Sequence, residues 1–205
     1  MEIRPFYPED ITTLAKRVSE IWRFDDSPEF TRIFCEYLVR CNYYSPQLSF
    51  KIVDEEGLQA IAFGCMPEEK NDAEAWLQEQ LKSVSPEVGK YIVRSTNYAK
   101  RTEAELETLM ESQPHAAKLS FFFSRKPGYG ALVLEHLVEK LKQEGVEWLY
   151  LWTDSWCNWQ YYPHHDFEQI GKGILPEFSD DNEKYYYYMF RKQIGYFFLF
   201  LHKII

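Results

Sequence analysis

Residues 119–141 have the sequence LSFFFSRKPGYGALVLEHLVEKL, and this stretch decides the fold. It begins with a short apolar run typical of a strand and continues through a loop that contains Gly128 and Gly130. It ends in a run whose apolar residues have helical spacing, Leu134, Leu137, Val138 and Leu141. Glycine has no Cβ, so such a loop can turn tightly and let a ligand approach its backbone. The sequence therefore predicts a strand, a glycine loop and a helix in direct succession.

The glycine loop has the composition of an anion-binding turn. Successive amides at a helix N-terminus carry partial positive charge, which suits a pyrophosphate, and Arg125 and Lys126 add cationic side chains at the mouth of the loop. Two other phosphate-binding sequences are absent from the chain, a GxGxxG with an acidic partner about 20 residues later and a GxxxxGK[ST]. Taken without its context, the loop is explained equally well as a purely structural turn.

The remaining patterns predict a mixed α/β fold. Amphipathic helices are expected after Asp10 and after Ser27, because both residues are good helix N-caps. A short helix or turn is expected over 158–165. Strands are expected at residues 3–6, 48–53, 58–64, 119–123, 148–152, 167–170 and 185–190. The last of these is apolar at every position, which suits a strand covered on both faces.

The segment from residue 67 to about 116 differs from its surroundings. It is rich in helix formers and carries ten acidic residues against six basic ones, a net charge of −4. Its apolar residues fall on two helical stripes, Trp76, Leu77 and Leu81 on one and Leu106, Leu109 and Met110 on the other. We interpret it as a helical insertion whose charges form a solvated face. The alternative is a lid over a binding site.

The composition is that of a single globular domain. The chain has 205 residues, of which 45% are apolar and 27% charged, and this excludes an intrinsically disordered chain. The 15 Phe, 15 Tyr and 6 Trp residues can build a full core without disulfides or a structural metal. The net charge of −9 argues against sequence-independent nucleic-acid binding, which needs a basic surface, and is compatible with a cationic small-molecule partner.

The cysteines and the apolar segments predict a cytoplasmic protein. The four cysteines form no CxxC, so we expect buried free thiols, with a zinc site or a disulfide framework as the alternatives. The N-terminus has no apolar region typical of a signal peptide. The most apolar run, residues 196–201, is far shorter than the roughly 20 residues that span a bilayer, so no membrane partner is expected.

Two motifs resemble those of a known family. The segment from Arg125 to Gly130, RKPGYG, resembles the R/Q-x-x-G-x-G/A acetyl-CoA pyrophosphate signature of the GNAT superfamily of N-acetyltransferases. The segment from Tyr162 to Phe167, YPHHDF, is similar to the Y-x-x-x-G-F segment of the same family. The resemblance covers about residues 1–66 and 117–191. It implies an α/β GNAT fold, in which helices flank a mixed central sheet and the insertion of about 67–116 lies between strands 3 and 4. The expected domain is the single unit 1–205, with an apolar C-terminal extension at 195–205.

The resemblance also implies an activity. A neutral primary amine of a small molecule or peptide would attack the thioester of acetyl-CoA, which acts as co-substrate, and no metal is expected. Tyr162 would protonate the departing thiolate, whereas the alternative is that this tyrosine only packs in an aromatic-rich core. The residues implied to bind acetyl-CoA are Phe121, Phe122, Phe123, Arg125, Lys126, Gly128, Tyr129, Gly130, Ala131 and Asn158. A Cβ at Gly130 is expected to obstruct the approach of the cofactor.

The sequence departs from the family pattern at three places. Asp166 stands where the family usually has glycine, and Ser155 and Asn158 replace the usual asparagine and small residue. The strand-borne glutamate that often serves as general base is missing, because residues 119–123 contain no acid. Asp154 is therefore the best candidate for the general base, directly or through a water, and its alternative role is a helix N-cap. A non-catalytic acyl-CoA-binding or regulatory module remains as the alternative function, and an interaction domain without CoA as a third.

Several polar residues have two interpretations. His164 and His165 are adjacent, so they cannot face one ligand from a helix, and we expect ordinary surface histidines; His115 could reach the same cleft. Asp25 and Asp26 form either a solvated loop or an attraction for an acceptor ammonium. The apolar run at 196–201 must be covered, either by a groove of its own core or by a second copy of the chain, and we favour a homodimer.

Overall fold

The computed structural model describes residues 1–21 and 27–195. Five α-helices lie within these residues: α1 (Ile11–Ile21), α2 (Pro28–Asn42), α3 (Ala73–Leu81), α4 (Pro86–Met110) and α5 (Tyr129–Gln143). The strands are β1 (Glu2–Pro5), β2 (Ser49–Asp54), β3 (Gly57–Cys65), β4 (Ala116–Ser124), β5 (Trp148–Asp154), β6 (Glu168–Ile174) and β7 (Tyr186–Gln193). Short 3-10 turns occupy Pro8–Asp10, Pro46–Leu48, Trp159–Tyr161 and Pro163–His165. The last two are the short helix or turn expected over 158–165.

The strands form one mixed sheet. Its order is β1-β2-β3-β4-β5-β7-β6, and every neighbouring pair is antiparallel except β4 and β5, which are parallel. Helix α5 connects the two parallel strands, as a crossover between parallel neighbours requires. The predicted strand, glycine loop and helix are therefore β4, the loop and α5, and the expected mixed α/β architecture is confirmed.

Helices cover both faces of the sheet. One face packs against α5, and this core includes Ala62, Leu119 and Leu149 together with Leu137 of the helix. On the other face, α1 and α2 cover Ile61 and Phe63 of β3. The same face continues under α4, where Leu106 and Met110 contact Ala116, Tyr150 and Met189. Alternation along β4 therefore sends Ala116 and Lys118 toward α4, and Ala117 and Leu119 toward α5.

The insertion between β3 and β4 is helical, as predicted. Helices α3 and α4 pack on α2 through a buried cluster of Ala73, Leu77, Ile92, Phe30, Ile33, Phe34 and Tyr37. Ser85 caps α4, because its side-chain oxygen accepts a hydrogen bond from the amide of Val88. Strand β4 begins at Ala116 rather than at the predicted Leu119. The charge of Lys118 interrupts the apolar pattern in sequence, but in the fold this side chain is buried.

Other expectations are met at the level of local structure. Ser27 caps α2 and Pro28 occupies its first turn. In β7, which lies between β5 and β6, three consecutive residues are buried, Tyr188, Met189 and Phe190. The four cysteines are unpaired thiols, two buried and two half-buried. Among the described residues, no helix is long and apolar enough to cross a bilayer.

Candidate active site

A split in the middle of the sheet forms the candidate site. Strands β4 and β5 are paired over three residues only, from Ala116–Trp148 to Lys118–Tyr150. Both strands continue beyond this point, β4 to Ser124 and β5 to Asp154, but no further pairs join them. Within the described residues, the edge of β4 that faces β5 thus lacks a strand partner beyond Lys118. An extended ligand can take the place of a strand along this edge.

A β-bulge marks the beginning of the split. The register of β3 and β4 shifts between Phe63–Phe121 and Gly64–Leu119, which leaves Ser120 as the extra residue. The Ser120 hydroxyl donates toward the carbonyl oxygen of Asn42, at 2.7 Å, and lies 3.2 Å from the carbonyl oxygen of Phe63. The bulge changes the direction of β4 close to the position where β5 separates from it.

The three phenylalanines of β4 do not form one side-chain surface at the split, because their side chains point to opposite faces of the sheet. Phe121 and Phe123 pack toward α1 and α2, whereas Phe122 faces α5 and contacts Tyr161 with ring centroids 5.4 Å apart. This alternation is the ordinary consequence of a pleated strand. Any cofactor contact shared by Phe121, Phe122 and Phe123 would therefore run through the backbone edge that faces β5.

The glycine loop leads directly into α5. Gly128 is the N-cap residue and has a φ of +82°, a left-handed conformation that favours glycine. The first amides of a helix have no intrahelical acceptor, so those of Gly130 and Ala131 point out of the helix end, whereas the amide of Tyr129 donates to the carbonyl oxygen of Lys126 at 3.3 Å. A Cβ at Gly130 would lie 3.0 Å from the ring of Phe122 and 3.2 Å from Cβ of Ser124. A side chain at Gly130 would therefore crowd the packing of α5 on β4, in addition to any obstruction of a ligand.

The loop cations already have acidic partners. Lys126 Nζ lies 2.6 Å from Asp54 Oδ2 and 3.1 Å from Glu56 Oε1, both in the turn between β2 and β3. Arg125 lies 3.3 Å from Glu20 of α1. The hydrogen bond from Lys126 is the main reason why the pKa of Asp54 falls to about 2. A bound phosphate would therefore compete with three carboxylates for these two cations.

Tyr162 lies in the core beside the split. Its ring contacts Phe167 and Phe190 at centroid distances of 5.4 Å each, and only 9% of its surface is exposed. Burial raises the pKa of its hydroxyl, so the group stays protonated at neutral pH. The position is compatible with both interpretations, a proton donor and a packed aromatic.

Asp154 ends β5 and is buried. Its Oδ1 accepts the amide of Trp156 at 3.0 Å, and its carbonyl oxygen accepts the amide of Cys157 at 3.1 Å. It therefore organises the turn after the strand, although no helix follows. Burial raises the pKa of Asp154 despite these hydrogen bonds, which makes the carboxylate more basic.

The other predicted residues take less central positions. Asn158 is exposed and precedes the 3-10 turn Trp159–Tyr161, whose amides its side chain does not cap. Ser155 bonds the backbone of Tyr186, where its hydroxyl donates to the carbonyl oxygen and accepts from the amide. Asp166 has a φ of +62°, so the chain keeps a left-handed turn at the position where the family has glycine.

The histidines do not converge on the split. His164 is exposed, and the ring of His165 stacks on Tyr161 with centroids 3.8 Å apart. His115 precedes β4 at the paired end of the strand, where its carbonyl oxygen accepts the amides of Glu147 and Trp148. The interpretation that His115 reaches the cleft is therefore wrong, because the paired residues separate it from the split. Asp25 and Asp26 lie outside the described residues, as does the apolar run at 196–201.

Sequence reasoning missed a buried ion pair at the beginning of the split. Lys118 of β4 binds Glu103 of α4, and Glu103 also accepts the indole N–H of Trp152 at 2.7 Å. The lone lysine in an otherwise apolar strand was the available signal, because a buried lysine needs a partner. The ten acids of the insertion gave no indication of which one it would be.

Comparisons with known proteins point to one fold. No protein-family model matches the chain, and no curated protein matches its sequence. Solved structures do match: the ribosomal-protein-S18-alanine N-acetyltransferase of Escherichia coli has a TM-score of 0.54 and 14% identity over 95% of this chain and 94% of its own. An agmatine N-acetyltransferase has a TM-score of 0.57 and 10% identity over 94% and 98% of the two chains. A Desulfovibrio desulfuricans protein described as a GNAT-family acetyltransferase has a TM-score of 0.52 and 13% identity over 94% and 98%. At such identities the likeness concerns the fold.

Proposed function

We propose that this chain, which has the fold of the GNAT acetyltransferases, is an acetyl-CoA-dependent N-acetyltransferase acting on a primary amine of a small molecule or peptide. The observation that carries the proposal is the split between β4 and β5, which opens where β4 leads into the glycine loop and the N-terminus of α5. With its diphosphate at that helix end, the rest of the cofactor can run between β4 and β5, where the two strands have separated. The four free thiols are compatible with a reducing, cytoplasmic compartment.

The cofactor would use the loop and the strand in different ways. The helix end formed by Tyr129, Gly130 and Ala131, with the turn at Gly128, suits the diphosphate through the amides of Gly130 and Ala131, and Arg125 and Lys126 suit its charge. The backbone of residues 121–123 suits the amides of the pantetheine arm. Asn158 follows β5 and is exposed, so it would be available to the same arm.

The reaction would proceed by direct transfer. The amine nitrogen attacks the thioester carbonyl carbon, the C–N bond forms, and collapse of the tetrahedral intermediate breaks the C–S bond. Tyr162 gives its proton to the departing thiolate, and Asp154 takes the excess proton of the amine, directly or through a water. The raised pKa of Asp154 supports this role, because a carboxylate buried in this way holds a proton more tightly than an exposed one.

A screen of primary amines for release of free thiol from acetyl-CoA tests the proposal, together with a calorimetric titration of acetyl-CoA alone. We expect saturable acetyl-CoA binding and thiol release with at least one class of amine. Saturable binding with no thiol release from any amine would favour the non-catalytic acyl-CoA-binding module. A protein that binds no acetyl-CoA would contradict both functions.

A further inference from the structure

The inserted helix α4 places a carboxylate across the beginning of the split. Glu103 accepts the ammonium of Lys118 on one oxygen and the indole N–H of Trp152 on the other. Lys118 is the last residue of β4 that pairs with β5, and Trp152 lies two residues beyond the last paired residue of β5, Tyr150. One side chain of the insertion thus touches both strands at the point where they separate.

The carboxylate lies on the sheet face opposite α5. Lys118 projects toward the α4 face, whereas Ala117 and Leu119 project toward α5. A cofactor whose diphosphate lies at the N-terminus of α5 would enter the split from the α5 face. An acceptor would then approach from the α4 face, and Glu103 lies on that route.

Glu103 is the accessible member of the ion pair. The Lys118 side chain is 5% exposed and the Glu103 side chain 23%. Burial by itself lowers the pKa of Lys118, but the attraction of Glu103 outweighs it, so the ammonium is retained. A carboxylate has about four acceptor positions, and these two donors leave the others free. Glu103 can therefore receive a further donor, whereas Lys118 is enclosed.

The surroundings of the carboxylate suit a cation. Tyr44 lies on one side, with the Lys118 ammonium 5.3 Å from its ring centroid, and Trp152 lies on the other. Tyr98 packs its ring edge-on to Trp152 at a centroid distance of 6.2 Å. The Tyr44 ring already faces the Lys118 ammonium, and Trp152 turns its N–H edge to Glu103, so the negative charge of the carboxylate is what attracts an ammonium group.

We propose that Glu103 binds the ammonium group of the acceptor at the split, so that the acceptor class is a cationic amine. The inference rests on the proposed acetyltransferase function, because it assigns the acceptor side of that same site. Glu103 positions the acceptor, and the proton that the reacting nitrogen loses goes to Asp154, as in the proposed reaction. The competing explanation is purely structural, namely that the ion pair only fixes α4 to the sheet.

A double variant separates the two explanations. Glu103→Gln alone leaves the Lys118 ammonium buried and unpaired, which destabilises the fold. The double variant Glu103→Gln/Lys118→Met removes both charges at nearly constant volume, and its amide oxygen can still accept the Trp152 N–H. Glu107→Gln, an exposed position one turn later on α4, is the matched control for the loss of one acid.

We expect the double variant to affect KM for the amine much more than kcat. The double variant should unfold near the wild-type temperature and bind acetyl-CoA with wild-type affinity. For the best amine of the screen, its KM should rise about 10-fold or more while kcat changes much less, the effect of losing one hydrogen bond between charged groups. Glu107→Gln should behave as wild type. A folded double variant with a wild-type KM for the amine would overturn the inference.

A binding measurement tests the amine site at Glu103 independently of acetyl transfer. 1,4-Diaminobutane is titrated calorimetrically into the protein saturated with CoA. Saturable binding by wild type that is lost in the double variant supports Glu103 as an amine site even where no amine releases thiol. Absence of saturable binding by wild type overturns the inference, whatever the acetyl-CoA titration shows.

Discussion

Asp166 is a non-glycine residue in a glycine conformation. Its φ of +62° lies in the left-handed region, which costs an L-residue roughly 1–2 kcal/mol, less for aspartate than for branched residues. Its only ion pair among the described residues, with Lys192 at 3.9 Å, involves a carboxylate that is 94% exposed and contributes little. We expect Asp166→Gly to leave the free energy of unfolding unchanged or to raise it by up to about 1 kcal/mol. Asp166→Val should lower it by about 1–2 kcal/mol, as measured by urea denaturation. A strongly destabilised glycine variant would contradict this explanation.

Asp154 allows its structural and chemical roles to be separated. Asparagine keeps the oxygen that accepts the Trp156 amide but carries no charge. Because burial raises the pKa of Asp154, its ionised form destabilises the folded state at neutral pH. We expect Asp154→Asn to be at least as stable as wild type at pH 7, with an advantage that shrinks as the pH falls through the folded-state pKa. If Asp154 is the base, kcat should fall by roughly 10²-fold or more. An active Asp154→Asn would restrict this residue to the turn.

The neighbouring Tyr161 provides a matched control for a test of Tyr162. If its hydroxyl protonates the thiolate, Tyr162→Phe should lower kcat by roughly 10²–10⁴-fold with little change in acetyl-CoA affinity. The hydroxyl of Tyr161 is buried and has no hydrogen-bond partner within the described residues, so Tyr161→Phe should keep its activity and lose no stability. Thiol release under conditions where chemistry limits the rate measures both variants. Equal rates for Tyr162→Phe and wild type would mean that Tyr162 only packs.

At the scale of elements, the turn between β2 and β3 supplies the carboxylates that pair with Lys126 of the glycine loop. Glu56 is exposed and shares Lys126 with Asp54, so a phosphate must displace it. We expect Glu56→Gln to raise the affinity for CoA by about 1.5–5-fold, the range for one exposed ion pair. Glu55→Gln changes the same charge one residue earlier and should alter the affinity less. Calorimetry at low and moderate salt measures both, and equal affinities for the two variants would argue against a phosphate at Lys126.

The elements that could be predicted from sequence are those with local signals. The glycine loop and α5 follow from a strand run, two glycines and four apolar residues at helical spacing. The partners of the loop could not be predicted, because Asp54 and Lys126 are 72 residues apart and meet only through the sheet. The role of Glu103 could not be predicted for the same reason. The sequence of α4 is acidic and predicts a solvated helix, and only the packing of α4 on β5 shows which of its carboxylates is partly buried.

At the scale of the whole molecule, the apolar run at 196–201 remains a candidate dimer contact. Ile194 is 7% exposed and belongs to the core under α5, so a truncation should keep it and end at Gly195. We expect the full-length chain to be a dimer and the chain 1–195 to be a monomer of similar thermal stability. Light scattering decides the point, and dimers of equal strength in both chains would exclude the run as the interface.

The split gives the sheet an additional edge in its interior. A sheet normally exposes unpaired backbone groups along its two outer strands, here β1 and β6, and such edges invite strands from other molecules. Beyond Lys118, the edge of β4 that faces β5 is joined to no described strand, and it lies in the centre of the sheet. A ligand arm with amide groups would lie along this edge as a strand would, so those amide hydrogens of 119–123 that point toward β5 rather than β3 should exchange more slowly in the loaded protein. A bound ligand should therefore also lower the tendency of the protein to aggregate, and the ligand-free protein should be the form more prone to aggregation.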